Sequence, residues 1–147
     1  MGFLSSLEIS ASGLTAQRLR MDVVAENITN VDTTQTDTGE PYRRKYVVFS
    51  EKQDAQAPFS AYLEGTGAEK AGGGVRVSEI GEDQSDFKLK YDPTNPGANA
   101  DGYVETPNVD LAQEMVDMMS AYRSYEADVT AFNATKDMAV KALEIGT

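Results

Sequence analysis

Residues 108–147 read NVDLAQEMVDMMSAYRSYEADVTAFNATKDMAVKALEIGT and carry the longest periodic pattern in the chain. Large apolar residues recur there at alternating spacings of four and three, the rhythm of a helix that packs along another helix. They are Leu111, Met115, Met118, Tyr122, Tyr125, Val129 and Phe132. Ala139 and Leu143 continue the rhythm, and Lys136 interrupts it. The pattern predicts a long C-terminal helix with one apolar face, its large stripe.

A second stripe of small residues lies on the same segment, offset from the large stripe by two positions. Its members are Ser120, Ser124, Ala127, Ala131 and Ala134. Two positions correspond to about 200° around a helix, so the small stripe faces away from the large one. Small side chains let a second backbone approach closely, whereas a solvated face usually carries Lys, Glu and Gln. We predict a subunit interface here; the alternative is that Ala and Ser are simply tolerated in helices.

The N-terminal segment repeats this arrangement. Its large stripe comprises Leu7, Ala11, Leu14, Met21, Ala25 and Ile28, with Arg18 as the one polar member, and its opposite face carries Ile9, Gly13, Ala16 and Val23. Ser5 and Glu8 have capping-box spacing, and the pattern ends near residue 30. We expect the two large stripes to pair as an intramolecular coiled-coil seam. The opposite faces would then form the interface between subunits.

The intervening residues 32–107 have the composition of a small β-rich insert. Residues 42–49, 75–80 and 87–91 are β-branched, aromatic or alternating and predict strands. Residues 51–74 are rich in Ala, Gly and Glu and predict either a mobile loop or a long hairpin excursion, whereas 92–97 and 101–102 predict turns. Pro107 precedes the last helix, for which Asn108 is the expected N-cap. The prediction is an α+β fold with a helical segment at 1–31, the insert at 32–107 and a second helical segment at 108–147.

The composition excludes several classes of function. With 24 acidic and 13 basic residues the net charge is −11, which disfavours nucleic acid and anionic membranes as partners. The chain contains no Cys or His, so it lacks thiolate ligands, disulfides and the commonest general base. No apolar run is long enough to span a membrane, and residues 1–12 do not have the pattern of a cleavable signal. Met1, Gly2 and Ser6 match a short myristoylation pattern, but Phe3 and Leu4 equally suit the start of a packed helix.

Two acidic regions could in principle carry chemistry. Asp92, Asn95, Asn99 and Asp101 supply oxygens suited to calcium, but the loop spacing fails, and turn formation explains them better. Residues 82–86 contain three carboxylates, Glu82, Asp83 and Asp86, in a turn without pocket-forming surroundings. We therefore predict no catalytic, cofactor-binding or metal-binding site.

Four segments resemble one protein family. Residues 10–30, SASGLTAQRLRMDVVAENITN, resemble the N-terminal motif of the flagellar rod, hook and hook-associated proteins. Residues 102–127, GYVETPNVDLAQEMVDMMSAYRSYEA, resemble the C-terminal motif of the rod members. Residues 41–49 and 91–104, PYRRKYVVF and YDPTNPGANADGYV, look like segments of a proximal-rod member. Within residues 51–74 no distinctive match is found.

The resemblance implies a structural, non-enzymatic subunit of the bacterial flagellar basal body. Its terminal helices would line a helical tube that crosses the periplasm, transmits torque and conducts exported subunits. It would leave the cytoplasm through the flagellar type III export apparatus, without a cleaved signal. Its partners would be copies of itself, other rod subunits and the MS-ring/export-gate junction. The alternatives are a free-standing coiled-coil adaptor or export-associated scaffold, and an enzyme that uses the carboxylates at 82–86.

Overall fold

The fold consists of two long helices and four short strands. The computed structural model describes residues 3–52 and 73–145. In chain order the elements are α1 Phe3–Thr29, β1 Lys45–Glu51, β2 Val75–Glu82, β3 Lys88–Tyr91, β4 Tyr103–Thr106 and α2 Leu111–Ile145. The predicted α+β class and the three predicted strands are confirmed. The loop predicted over 51–74 lies outside the described residues except at its two ends.

The start of α2 is set by a different residue from the one predicted. At α2 the Asp110 Oδ1 accepts hydrogen bonds from the backbone N–H groups of Ala112 (2.9 Å) and Gln113 (3.3 Å). These are N–H groups that the first helical turn leaves without a partner, so Asp110 is the N-cap and not Asn108. α1 begins at Phe3, before the predicted capping box, and the Glu8 carboxylate pairs with Lys52 Nζ at 2.7 Å.

The strands form two separate two-stranded sheets, β1–β2 and β3–β4. At the ends of β1–β2, the Lys52 N–H donates to Gly74 O (2.9 Å) and the Asp83 N–H donates to Arg44 O (2.8 Å). β3 and β4 are antiparallel, with Lys88 opposite Thr106 and Tyr91 opposite Tyr103. β4 was not predicted, because four residues carry too little periodicity to distinguish a strand from the turn before it.

The connection between β3 and β4 is built from the predicted turns. The Asp92 Oδ1 accepts from the Thr94 N–H, the Asn95 Oδ1 from the Gly97 N–H, and the Asn99 Oδ1 from the N–H groups of Asp101 and Tyr103. Gly102 completes this connection at φ +80°, a conformation that favours glycine. These oxygens close turns of the backbone, as the turn interpretation requires.

The chain divides into two compact units. The first unit comprises described residues within Met1–Arg18, Phe49–Ser78 and Tyr122–Thr147, and the second comprises Leu19–Val48 and Glu79–Ala121. In the first unit, Val75 N–H donates to the Ser12 Oγ at 3.0 Å, which attaches β2 to α1. The second unit holds most of the buried apolar side chains in the described part of the chain. They are Val23, Val24, Tyr42, Val104, Val109 and Ala121.

The predicted coiled-coil pairing of the two helices through their large stripes is wrong. Leu111, Met115 and Tyr122 are 42 %, 51 % and 53 % exposed, so they do not fill a seam inside the chain. The buried side chains of α2 are Glu114 and Ala121, which belong to neither predicted stripe. Apolar periodicity identifies a face that favours removal from water, but it does not identify what covers that face. Polar contacts, described below, set the rotation of these helices instead.

We expect Gly81→Ala to destabilise the second unit. Gly81 is buried in β2, and a Cβ there would lie 2.6 Å from Cζ of the Tyr46 ring. Overpacking of this kind costs about 1–3 kcal/mol. Urea denaturation should show that loss in the free energy of unfolding, and the loss should disappear in a Tyr46→Ala background. Gly97→Ala, which would meet only Asn95 Oδ1 at 3.5 Å, is the control. An equal loss in both backgrounds would contradict the contact.

Candidate assembly surface

The Asn27 side chain lies at the centre of the second unit and is fully buried, with 0 % exposure. Its Nδ2 group donates to Lys45 O (2.8 Å) and to Glu114 Oε2 (3.0 Å). Its Oδ1 accepts from the Tyr42 hydroxyl and from the Lys45 N–H, each at 2.9 Å. An amide has two donor hydrogens and two acceptor lone pairs, so every hydrogen-bonding position of Asn27 is used. One side chain thus joins α1, β1 and α2.

Glu114 extends these contacts into a chain of ion pairs. It is also 0 % exposed, and its Oε1 accepts from Arg44 Nε at 2.6 Å. The same guanidinium contacts Asp117 Oδ2 at 3.3 Å, and Arg20 Nη2 lies 3.6 Å from Asp117 Oδ1. A buried carboxylate needs such partners, because removal from water costs several kcal/mol per charge. We call Asn27, Tyr42, Arg44, Glu114 and Asp117 the polar cluster.

Tyr42 is the cluster member whose protonation state is most affected by its surroundings. Burial raises the pKa of its phenol well above the ordinary value of 10.0, and the nearby carboxylates of Glu26, Glu114 and Glu82 raise it further. The phenol therefore stays protonated as a hydrogen-bond donor to Asn27.

Asn108 fixes the approach to α2 from the insert. Its Oδ1 accepts from the Arg44 N–H at 2.8 Å, and its Nδ2 donates to Asp83 O at 3.0 Å and to Ser85 Oγ at 2.9 Å. Lys88 Nζ donates to Val109 O at 2.8 Å. The residue predicted as a helix cap thus connects three segments of the second unit.

Large apolar side chains lie on the surface of α2 in both units. In the second unit these are Leu111, Met115, Val116 and Met119; in the first unit they are Tyr122, Met138, Val140 and Leu143. Leu4 of α1 is also exposed. Contiguous exposed apolar residues mark surfaces that meet a partner.

The other predicted seam positions are partly covered. Half-buried positions are Leu7, Leu14, Met21, Ile28, Met118, Tyr125, Val129 and Phe132, whereas Ala11 and Ala25 are exposed. The predicted interface positions differ in exposure between the two helices. Ser120, Ala127, Ala131 and Ala134 are exposed, Ser124, Ile9 and Gly13 are half-buried, and Ala16 and Val23 are buried. The assignment of these residues to a seam or to an interface between subunits stays a prediction.

In the two acidic regions, Asp and Asn oxygens accept hydrogen bonds from backbone N–H groups. The Asp83 Oδ1 accepts from the Ser85 N–H at 2.9 Å. Hydrogen bonds from Ser85 lower the pKa of Asp83, the opposite of what a general acid at neutral pH requires. Across residues 3–52 and 73–145, no group of three or more Asp or Glu side chains is placed to hold a metal ion. Neither described helix is long and apolar enough to cross a membrane.

Comparison with known proteins matches each end of the chain to a family of flagellar rod proteins. Residues 7–35 match the family described as flagella basal body rod protein, and residues 100–145 match the C-terminal family of flagellar basal body rod FlgEFG proteins. The flagellar basal-body rod protein FlgC of Bacillus subtilis is 58 % identical over 96 % of both chains. FlgC of Borreliella burgdorferi is 46 % identical over 99 % of this chain and 98 % of its own. FlgC of Escherichia coli O6:H1 is 45 % identical over 99 % of both chains.

This chain belongs to the FlgC family of flagellar basal-body rod proteins. The predicted family is therefore confirmed, and the chain is a structural subunit of the flagellar rod that assembles with other rod proteins in the basal body. For a FlgC-family subunit the functional site is the surface that meets its neighbours. The polar cluster joins α1, β1 and α2 inside the second unit, where Leu111, Met115, Val116 and Met119 are exposed.

The sequence interpretation missed the polar cluster. Asn27 and Glu114 are 87 positions apart, so no local pattern connects them. One clue was available, because Gly13, Arg20 and Asn27 recur every seven residues on α1, as do Glu114, Ala121 and Asp128 on α2. These rows mark the faces where the helices meet. A Cβ on Gly13 would lie 2.8 Å from Asp128 Oδ2.

We expect Glu114→Ala to lower the free energy of unfolding by about 3–5 kcal/mol, because it leaves the Arg44 Nε and one of the two Asn27 Nδ2 hydrogens without an acceptor. Glu114→Gln retains an acceptor oxygen and should cost less. Asp137→Ala, an exposed carboxylate change on the same helix, should stay within about 0.5 kcal/mol of the original protein. Urea denaturation of the three variants measures these changes in the free energy of unfolding. Equal stability of Glu114→Ala and Asp137→Ala would show that the cluster is not stabilising.

Tyr42 should also make stability sensitive to alkaline pH. Above about pH 10 the unfolded chain loses the phenol proton while the folded chain retains it, so the free energy of unfolding falls as pH rises. Tyr42→Phe should show a shallower fall than the original protein in denaturation curves recorded above pH 10. Tyr91→Phe, which removes an exposed phenol from β3, is the control. If the free energy of unfolding fell equally steeply with pH in the two variants, Tyr42 would not be the source of the alkaline sensitivity.

Proposed function

We propose that this chain is a subunit of the proximal rod, where copies of it and other rod proteins form a helical tube. The tube transmits torque and conducts exported subunits. The observation that carries this proposal is the similarity, over nearly the whole chain, to relatives named flagellar basal-body rod protein FlgC. A match of this extent includes the insert as well as the helices.

The arrangement of polar and apolar groups supports a polymerising subunit. The polar cluster fixes α1 against α2 in the second unit, while Leu111, Met115 and Met119 remain exposed. An apolar stripe on a rigid helix loses contact with water only when a neighbour covers it. If the covered patch differs from the patch that covers it, the contact is heterologous, and its repetition produces an open helical array.

The proposed location follows from the same family membership. We infer that the rod containing this chain lies in the periplasm and that the chain reaches it through the flagellar type III export apparatus. At its base the proximal rod would meet the MS-ring/export-gate junction. The proposed role is mechanical and involves no enzymatic reaction.

Deletion of the gene tests this function directly. We expect non-motile cells whose isolated basal bodies lack the rod, and restoration of both rod and swimming by the full-length chain. The protein should co-purify with basal bodies from complemented cells. Normal rods in the deletion strain, or a full-length chain found only in the cytoplasm of swimming cells, would overturn the proposal.

The small stripe of α2 gives a sharper test of the predicted interface. Ala131 is exposed in the chain, and Glu is a good helix former, so Ala131→Glu should leave the fold and its stability nearly unchanged. A neighbouring subunit packed against this position would bury the new carboxylate unpaired, at a cost of several kcal/mol. The variant should therefore be exported but absent from the rod, and the cells should not swim.

Ala131→Ser is the matched control, because it keeps the side chain small and uncharged. It should be incorporated into rods and support swimming. Swarm diameter, together with immunoblots of purified basal bodies, measures both variants. Normal swimming with Ala131→Glu would show that this stripe faces solvent and that its small residues are only tolerated helix formers.

A further inference from the structure

We propose that the second unit contains a binding cleft for a neutral carbohydrate. The cleft has a volume of about 410 Å³ and lies between residues 34–41 and the connection that joins β3 to β4. This volume is within the range of about 300–1,000 Å³ that is typical of small-molecule sites. Neither the polar cluster nor the exposed apolar residues of α2 line the cleft.

Two amide groups present free donors along the cleft. Asn95 and Asn99 use their Oδ1 atoms to close turns, at 3.0 Å from the Gly97 N–H and 2.9 Å from the Tyr103 N–H. In the described part of the chain neither Nδ2 group donates to a protein acceptor. Because the turns fix both side chains, their N–H groups are held in position for a ligand.

The cleft is also lined by side chains that can accept hydrogen bonds. The Glu105 carboxylate, the Thr34 hydroxyl and the Gln35 amide line the same cleft. Their side chains make no hydrogen bond to any other described residue. A sugar hydroxyl both donates and accepts, so it can use such neighbouring donors and acceptors at once.

An aromatic ring borders the polar groups. Tyr103 lines the cleft and is 41 % exposed, and its ring is held edge-to-face by Tyr91 at a centroid distance of 5.3 Å. The face of an aromatic ring is electronegative and attracts weakly positive C–H groups. The C–H face of a pyranose ring provides such groups.

The residues that line the cleft disfavour anionic and hydrophobic ligands. It includes no Lys or Arg, so it offers no cation to a phosphate, a carboxylate or a nucleic acid. Its apolar side chains are Pro41, Pro96 and Val104 beside the Tyr103 ring, which is too little apolar surface for a hydrophobic ligand. The one charged side chain, Glu105, suits a hydroxyl. A carbohydrate is the class that satisfies all of these groups.

The binding experiment uses the ¹⁵N-labelled full chain. Triacetylchitotriose and cellotriose serve as carbohydrate probes, and inorganic phosphate and a proline-rich peptide serve as probes of other classes. We expect saturable shifts of the Asn95 and Asn99 side-chain NH₂ resonances with at least one sugar. Absence of saturation by either sugar up to about 10 mM, or saturation by phosphate or the peptide instead, would overturn the proposal.

Single substitutions test whether the sugar contacts the residues that line the cleft. Asn95→Asp and Asn99→Asp keep the oxygen that closes each turn and remove the donor, so each should weaken sugar binding about tenfold. Asn133→Asp makes the same chemical change at an exposed position of α2 and should leave affinity unchanged. Tyr103→Leu, which keeps an apolar strand residue but removes the ring, should also lose about tenfold. Unchanged affinity in correctly folded Asn95, Asn99 and Tyr103 variants would show that the sugar binds elsewhere.

Discussion

The arrangement of the second unit depends on complete hydrogen bonding of the buried Asn27 amide. Each hydrogen bond lost from a buried polar group costs about 1–3 kcal/mol, so four bonds on one side chain restrict the geometry strongly. Lys45, Tyr42 and Glu114 must all lie within reach of the same amide. A rotation of α1 about its axis would break several of these bonds together. Polar satisfaction, more than apolar burial, therefore sets how α1 meets α2 in this unit.

This constraint reverses the usual distribution of residues on α2. A helix of a free-standing globular protein places its apolar stripe inside and its charges outside. Here Glu114 is buried, whereas Met115 and Met119 are exposed. The buried charge fixes one arrangement of the elements, and the exposed methionines present flexible apolar side chains that adapt to irregular contact surfaces. A subunit with its polar groups satisfied internally can present much of its apolar surface to its neighbours.

Local patterns in the sequence were sufficient to predict both helices, three of the four strands and the turns between β3 and β4. The heptad rhythm identified both helices, β-branched and alternating residues identified β1 to β3, and the Asp, Asn, Pro and Gly residues at 92–102 identified the connecting turns. The motifs at 10–30 and 102–127 were sufficient for the family.

Such local patterns did not predict how the two helices contact each other. A heptad pattern has the same appearance whether the apolar face packs within the chain or against another subunit, so the sequence led to a coiled-coil pairing that the structure does not show. The contact between Asn27 and Glu114 depends on folding that brings residues 87 positions apart together, and no short motif encodes it. The cap at Asp110 was missed for a simpler reason, since Asn108 and Asp110 are equally good capping residues by type.

The Asn27 side chain also covers part of the edge of β1 that does not pair with β2. The Arg44 C=O accepts from the Asp83 N–H just after the end of β2, while the N–H and C=O of Lys45 both bond to the Asn27 amide. A carboxamide that binds the N–H and C=O of a single residue reproduces the hydrogen bonds of a neighbouring antiparallel strand. Unpaired strand edges are templates for pairing with other chains. Asn27 thus occupies the first rung of a β-ladder, and strands of other copies cannot extend the sheet from that point.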